Sequence, residues 1–193
     1  MPLQASGENI PVLALYLSPP PDITLVTRNE LLCWDMESGD LVKQMVAHFQ
    51  RIVEIQSLVV GTDNLVLTSS IDRCIKIWNL DHIFEKERHI DKHSMTIEAI
   101  SISTTAKIAV VVTRNCIGVW DIMTGKLKFT LSNSGVVTHA LVNEKGTYTV
   151  AVESSDVLYW DMANRKIVFQ EKQADVRQIF LYAKQKMCIT VSW

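Results

Sequence analysis

A tryptophan followed by aspartate or asparagine recurs along this chain of 193 residues. The four dipeptides are Trp34-Asp35, Trp78-Asn79, Trp120-Asp121 and Trp160-Asp161. Successive tryptophans are 44, 42 and 40 residues apart. A near-constant period of about 40 residues indicates one supersecondary unit copied along the chain, because each copy buries its hydrophobic face against the next. The spacing therefore predicts a repeat architecture and sets the size of each unit.

Each unit reads as four short strands. Runs rich in valine, isoleucine and threonine are interrupted by turns of Asn, Asp, Ser and Gly, a pattern typical of strands joined by hairpins. The i, i+3, i+4 spacing of an amphipathic helix is not sustained anywhere. We therefore predict an all-β fold whose units are propeller blades. The predicted blades span residues 11–47, 48–91, 93–132 and 136–172, with a partial fifth over 176–193.

In this series of four-stranded units, each with a Trp-Asp or Trp-Asn dipeptide, the sequence resembles the WD40-repeat family over nearly its whole length. Blades of that family often carry a hydrogen-bonded set of His, Ser or Thr, Asp and Trp. The matching positions of the second unit hold His48, Thr68, Asp72 and Trp78. The resemblance implies that the threonine hydroxyl accepts the buried indole N–H and that the imidazole bridges this hydroxyl to the carboxylate. Such a fully satisfied set would rigidify the blade.

The other units depart from this pattern, and the second alone has the complete set. The first and third have shorter turns with Asn29 and Asn115 and lack the aspartate six residues before the tryptophan. We expect Trp34, Trp120 and Trp160 to act as structural anchors inside their blades.

A Thr-Arg-Asn sequence lies seven residues before the tryptophan in the first and third units. In these turns and in its degenerate spacing, the chain resembles the C-terminal propellers of NACHT and WD-repeat proteins. That resemblance implies a regulatory or sensor propeller within a larger nucleotide-switch ATPase. Its catalytic domain would lie outside this chain, since no G-x-x-x-x-G-K-[ST] phosphate loop is present.

No catalytic or metal-binding constellation is recognisable. His89 and His93 are four residues apart, but this segment reads as strand and loop, and no Cys or Glu cluster supplies further ligands. Ser154-Ser155-Asp156 reads as a hairpin turn, and no G-x-S-x-G elbow occurs. We therefore expect a non-enzymatic scaffold for protein–protein interaction, without metal or cofactor.

Candidate partner contacts lie in the turns between the second and third strands, which share one face of a propeller. Loops on a rigid scaffold commonly carry function, and exposed arginine is favoured at binding hot spots. The residues predicted at this face are Arg28, Asn29, Arg73, Arg114, Asn115 and Ser155. For each of them, an ordinary turn residue without a partner is the alternative.

Composition narrows the class of partner and the compartment. The net charge is −2, from 19 basic and 21 acidic residues, and no clustered basic footprint of a nucleic-acid or anionic-membrane binder occurs. The first 22 residues lack a basic n-region, and their longest apolar stretch is too short for a signal peptide or a membrane span. The four cysteines show no C-x-x-C spacing, and we expect each to be a small buried hydrophobe. These features favour a cytoplasmic protein.

The repeat count falls short of a usual propeller. Propellers close with four to eight blades, and seven blades would need about 280 residues. The 193 residues of this chain hold four units and part of a fifth, so we expect a fragment or truncated form. A four-bladed ring with an extra hairpin is the alternative. An open blade would leave strand edges bare, from which we expect the isolated chain to self-associate.

Overall fold

A computed structural model describes most of the chain. The described residues are 13–16, 22–27, 29–35, 38–60, 63–79, 85–90, 95–114, 116–132, 134–182 and 187–192. In these ranges the chain forms β-strands and turns, with no helix, and hence no helix able to cross a membrane. The predicted all-β class is confirmed.

The strands form five antiparallel sheets, in each of which the spatial order of strands follows the chain order. Blade 1 consists of β1 (Leu13–Tyr16), β2 (Asp22–Thr27), β3 (Glu30–Asp35) and β4 (Leu41–Val46). Blade 2 consists of β5 (Ile52–Val60), β6 (Asp63–Ser70), β7 (Ile75–Asn79) and β8 (Glu85–Ile90). Blade 3 consists of β9 (Ile97–Ser103), β10 (Ile108–Thr113), β11 (Cys116–Asp121) and β12 (Leu127–Leu131). Blade 4 consists of β13 (Val137–Val142), β14 (Tyr148–Glu153), β15 (Asp156–Asp161) and β16 (Lys166–Lys172), and blade 5 of β17 (Val176–Tyr182) and β18 (Met187–Ser192).

The blades stand side by side through their first strands. The strand β5 contacts β1 on one side and β9 on the other, and β13 contacts both β9 and β17. This neighbour-to-neighbour packing of antiparallel sheets is the propeller arrangement. The structure thus shows an incomplete propeller of four four-stranded blades and a two-stranded fifth sheet.

The core lies between neighbouring blades, as β10 illustrates. All six of its residues are buried. Val110 and Val112 belong to the apolar cluster shared with blade 4, whereas Ala109 and Val111 belong to the cluster shared with blade 2. Successive side chains of a strand point to opposite faces, so a strand covered on both faces reads as an unbroken apolar run. Burial of each valine side chain contributes about 1.5–3 kcal/mol, which makes β10 a structural link between three blades.

The cysteines differ in burial. Cys33 is buried, Cys74 and Cys116 are partly exposed, and Cys188 is exposed. The prediction that every cysteine is buried is therefore confirmed for Cys33, holds only in part for Cys74 and Cys116, and is wrong for Cys188. This residue lies on β18, which within the described residues pairs only with β17 and has no further strand beside it.

Candidate functional site

The linker 47–51, which joins β4 to β5, is fixed to blade 2 through His48. The Nδ1 atom of His48 lies 3.0 Å from Asp72 Oδ2, and its Nε2 atom lies 2.8 Å from Thr68 Oγ1. The indole N–H of Trp78 donates to the same threonine oxygen at 2.9 Å. The four side chains form one hydrogen-bonded chain that runs from the core to the end of the blade.

Donors and acceptors balance in this chain when His48 is neutral. The indole of Trp78 can only donate, so Thr68 Oγ1 accepts its hydrogen and gives its own to Nε2 of His48, which leaves Nδ1–H to donate to the carboxylate. Burial lowers the pKa of His48 and outweighs the attraction of Asp72. Partial burial acts to raise the pKa of Asp72, but backbone N–H groups and His48 hold it below its ordinary value. A neutral imidazole beside an ionised carboxylate follows.

The order of hydroxyl, imidazole and carboxylate is also that of an acyl-transfer triad. Here the hydroxyl has no access to a substrate, since Thr68 is 0% exposed and its oxygen receives the Trp78 indole hydrogen. His48 is likewise buried. The geometry therefore fixes the linker to the blade and offers no nucleophile.

Further hydrogen bonds fix the rest of the linker. Asp72 Oδ2 accepts the backbone N–H of Phe49 at 3.1 Å. The hydroxyl of Ser70 lies 3.0 Å from the carbonyl oxygen of Gln50 and 2.9 Å from that of Arg51. Because successive linker residues are bonded to the end of β6 and the following turn, their backbone is held in a single arrangement.

The fixed backbone presents an aromatic side chain to solvent. Phe49 is 91% exposed, the most exposed of the large hydrophobic residues in the described part of the chain. The ammonium group of Lys76 lies 5.9 Å from the centre of the Phe49 ring and 5.7 Å from that of Trp78, and it donates to the carbonyl oxygen of Ala47. Arg73 is exposed in the adjacent turn, in a left-handed conformation with φ of 69°. We define Phe49, Arg73 and Lys76 as the loop-face patch.

Asn29 lies beside this patch but is used internally. Its Nδ2 donates to the carbonyl oxygen of His48 at 3.0 Å. Its own carbonyl oxygen accepts the backbone N–H groups of Ala47 and His48. Blade 1 thus holds the same linker from the other side, and the contacts of Asn29 are those of a structural residue.

The other predicted partner residues are spread over three blades. Arg73, Arg114 and Ser155 are exposed in turns at the same end of blades 2, 3 and 4. Arg28 and Asn115 lie outside the described residues. Sequence reasoning missed Phe49, although an aromatic residue directly after the buried His48, in a predicted linker, was a usable signal.

The histidine pair considered as a metal site is not described at side-chain level. His89 belongs to β8 without a described side chain, and His93 lies outside the described residues. In the part of the chain that the structure describes, no group of three or more His, Cys, Asp or Glu is placed to hold a metal ion.

The residue that occupies the position of Thr68 explains why blade 2 differs from the other blades. Trp78 pairs with Val66, two residues before Thr68 on β6. In blade 4, Trp160 pairs with Thr149, so Ala151 occupies the position of Thr68. The equivalent positions in blades 1 and 3 are Leu25 and Val111. None of these side chains can accept a hydrogen bond, and the buried indole nitrogens of Trp34 and Trp160 have no hydrogen-bond partner among the described residues.

Blade 4 fixes its preceding linker by another route. Glu153, at the end of β14, is buried, and its Oε1 accepts the backbone N–H groups of Ser134 and Gly135. The hydroxyl of Ser134 lies 3.1 Å from the same oxygen. One carboxylate thus reaches the linker directly, without a histidine.

Comparison with known proteins places the chain in a family. Residues 88–193, more than half of the chain, match the model of the NWD2 C-terminal beta-propeller. The chain belongs to this family. The matched region begins within β8, so the His48 network precedes it.

Curated relatives of this NWD2-type propeller confirm the WD40 resemblance. The chain is 20% identical over 132 residues to the small ribosomal subunit protein RACK1 of Caenorhabditis elegans, covering 68% of this chain and 40% of RACK1. It is 25% identical over 112 residues to the protein ROOT INITIATION DEFECTIVE 3 of Arabidopsis thaliana, covering 51% of this chain and 25% of the relative. In both comparisons the matched region spans less than half the length of the relative.

Proposed function

We propose that this NWD2-type propeller is a protein-interaction module whose loop-face patch on blade 2 contacts a partner protein. The observation that carries the proposal is Phe49, which is 91% exposed while its backbone N–H is bonded to Asp72. Aromatic residues dominate binding hot spots because they bury a large area when a partner covers them.

The order of the linker adds to this argument. Association costs about 0.5–1.5 kcal/mol for each flexible side chain that becomes immobilised, and loops that must be ordered cost more. The linker around Phe49 is already hydrogen-bonded at His48, Gln50 and Arg51. Its backbone therefore has little conformational freedom left to lose when a partner binds. A preorganised aromatic residue beside Arg73 and Lys76 is therefore suited to recognition.

The experiment compares proteins captured by the wild-type chain and by two variants in which an exposed phenylalanine becomes alanine. Phe49→Ala removes the proposed contact, and Phe169→Ala is the matched control, since Phe169 is 58% exposed on the outer strand β16. We expect Phe49→Ala to weaken binding of the principal captured partner at least about tenfold, as is usual for a hot-spot residue. The control should bind as the wild type does, and all three proteins should share one melting temperature. Equal binding by the wild type and Phe49→Ala would refute the assignment of this surface.

The family match supports a second function, that of a regulatory segment in a larger NACHT-type nucleotide-switch ATPase. In NWD2 the matched propeller is C-terminal. An antibody raised against this chain, followed by mass spectrometry of the precipitated polypeptide, tests the proposal. We expect peptides from an upstream phosphate-loop domain in the same polypeptide. A polypeptide whose complete peptide coverage contains no such motif would exclude this function.

A further inference from the structure

A second surface lies between blades 3 and 4, at the end of the strands opposite the loop-face patch. It contains a cavity of about 480 Å³, a volume in the range of small ligand sites. The apolar lining consists chiefly of Ile108, Val119, Phe129, Tyr148, Tyr159 and Met162. None of these residues takes part in the loop-face patch.

Contacts between two turns hold the floor of this cavity. Gly146 has φ of +65°, and a Cβ atom at this position would overlap the Cβ of Ala106 in the corresponding turn of blade 3. The hydroxyl of Ser103 donates to the carbonyl oxygen of Glu144. Because only glycine allows both this backbone conformation and this close approach, the turns of the two blades are locked together.

One wall of the cavity is formed by two stacked tyrosine rings. The rings of Tyr148 and Tyr159 stack with their centroids 4.9 Å apart and their planes inclined by 25°. Tyr148 is 7% exposed, and its buried hydroxyl has no hydrogen-bond partner among the described residues. The tyrosine pair therefore offers the cavity an aromatic surface.

The rim of the cavity is cationic. Six exposed cations lie at this end of blades 3 and 4, namely Lys107, Lys126, Lys128, Lys145, Arg165 and Lys166. The acids at the same end are Asp121, Glu144 and Asp161. Two of these acids accept backbone N–H groups of their own turns. This end is therefore locally positive in a chain whose net charge is −2.

Lys107 and Arg165 lie in turns at the rim and adopt left-handed conformations, with φ of 54° and 56°. Arg73, Ser154 and Asp175 adopt the same conformation in other turns. The guanidinium of Arg165 lies 4.5 Å from the centre of the Phe129 ring, which lines the cavity. A positive charge is thereby held at the cavity mouth.

We propose that this cavity binds an acidic segment of a partner protein by accepting one aromatic side chain. The aromatic ring packs against Phe129, Met162 and the tyrosine pair. Carboxylates on either side of the aromatic residue meet the cationic rim. An apolar interior with a cationic border across two blades matches a peptide that is apolar at one point and acidic around it.

The experiment measures fluorescence anisotropy of a labelled ten-residue peptide with one central phenylalanine among aspartate and glutamate residues, mixed with the full chain. Comparison peptides carry alanine for the phenylalanine, or lysine for the acids. We expect the aromatic acidic peptide to bind at least about tenfold more tightly than either comparison peptide, a free-energy difference of about 1.4 kcal/mol. Its affinity should fall as salt rises, since the rim charges are solvent-exposed.

One variant tests the site, and two controls accompany it. Arg165→Glu should weaken peptide binding about fivefold or more, whereas Arg114→Glu, the same change at the opposite end of blade 3, should leave it unaltered. Tyr148→Phe removes only a buried hydroxyl that has no partner among the described residues. It should leave peptide binding unaltered while the melting temperature stays the same or rises.

Specific results would overturn the proposal. No binding of the aromatic acidic peptide, or equal binding of its alanine form, would show that the cavity does not take an aromatic side chain. Equal losses in Arg165→Glu and Arg114→Glu would place the peptide outside the cavity. Tighter binding of an unlabelled single-stranded oligonucleotide than of the peptide would assign the rim to nucleic acid. Phe49→Ala should bind the peptide normally, so a negative result here leaves the loop-face proposal standing.

Discussion

Blades 2 and 4 share one strand register, yet they hold their preceding linkers by different chemistry. In blade 2, His48 and Asp72 connect the linker to Thr68 in the core. In blade 4, Glu153 accepts the linker N–H groups by itself. The feature common to both is a carboxylate that accepts backbone N–H groups of the preceding linker. A histidine–aspartate pair is one solution, and a single buried glutamate is another.

The tryptophans of blades 2 and 4 also differ in their polar contacts. Trp78 and Trp160 are each 2% exposed, but only Trp78 donates its indole hydrogen to a threonine hydroxyl. Burial of a large aromatic side chain contributes more to the stability of the fold than a single hydrogen bond does. The net contribution of one hydrogen bond is about 0.5–1.5 kcal/mol. Trp160 is therefore held in blade 4 by its apolar surface, whereas Trp78 in blade 2 has the polar network in addition.

The largest effect should come from Thr68→Val, which replaces the shared hydroxyl by a methyl group. The indole N–H of Trp78 and Nε2 of His48 both lose their partner, and we expect the free energy of unfolding to fall by about 3 kcal/mol. Thr149→Val in blade 4 is the matched control, since this buried hydroxyl contacts only the sulfur of Met162 among the described side chains. Urea denaturation of the full chain measures both. Equal losses would erase the proposed difference between the blades.

A smaller effect is expected for Asp72→Ala. Asp72 accepts hydrogen bonds from His48 and from the backbone of Phe49 and Cys74, so its removal should lower the free energy of unfolding by about 1–3 kcal/mol. Asp161→Ala in blade 4 removes a carboxylate that also accepts turn N–H groups, but in an exposed site, and should cost less. An unchanged urea midpoint for Asp72→Ala would contradict the network.

The smallest effect is a pH dependence carried by His48. Burial holds its folded-state pKa below the ordinary value of about 6.5, which we take for the unfolded chain. Above about pH 6.5, His48 is neutral in both the folded and the unfolded chain, and its contribution to stability is fully present. Below about pH 6.5, the unfolded chain binds the proton first, so the free energy of unfolding falls. The slope should reach at most about 1.4 kcal/mol per pH unit.

Stability measured between about pH 7 and 5 tests this sign, because the depressed pKa of Asp72 acts only at lower pH. His48→Gln should show a shallower slope than the wild type over this interval. A variant with the wild-type slope would assign the pH dependence to other groups.

Part of the site was predictable from the sequence through its resemblance to the WD40-repeat family. His48, Thr68, Asp72 and Trp78 are the residue types that this resemblance implies at the matching positions of the second unit. The role of Asn29 was not readable, since its contacts are with a linker 18 to 19 residues away, and an asparagine in a turn has several possible orientations. The exposure of Phe49 likewise depends on how the linker crosses the end of the blade.

The sequence by itself determined the repeat, the β class and the blade period, because a strand and its hairpin neighbours obey a two-residue periodicity and short turn rules. The tertiary structure alone decided where the loop-face patch and the cavity between blades 3 and 4 lie. The cavity beside Tyr148 and the approach of Gly146 to Ala106 arise between blades, whose relative placement depends on the fit of two complete sheets. That fit is a sum of many contacts between residues distant in sequence, and no single motif encodes it.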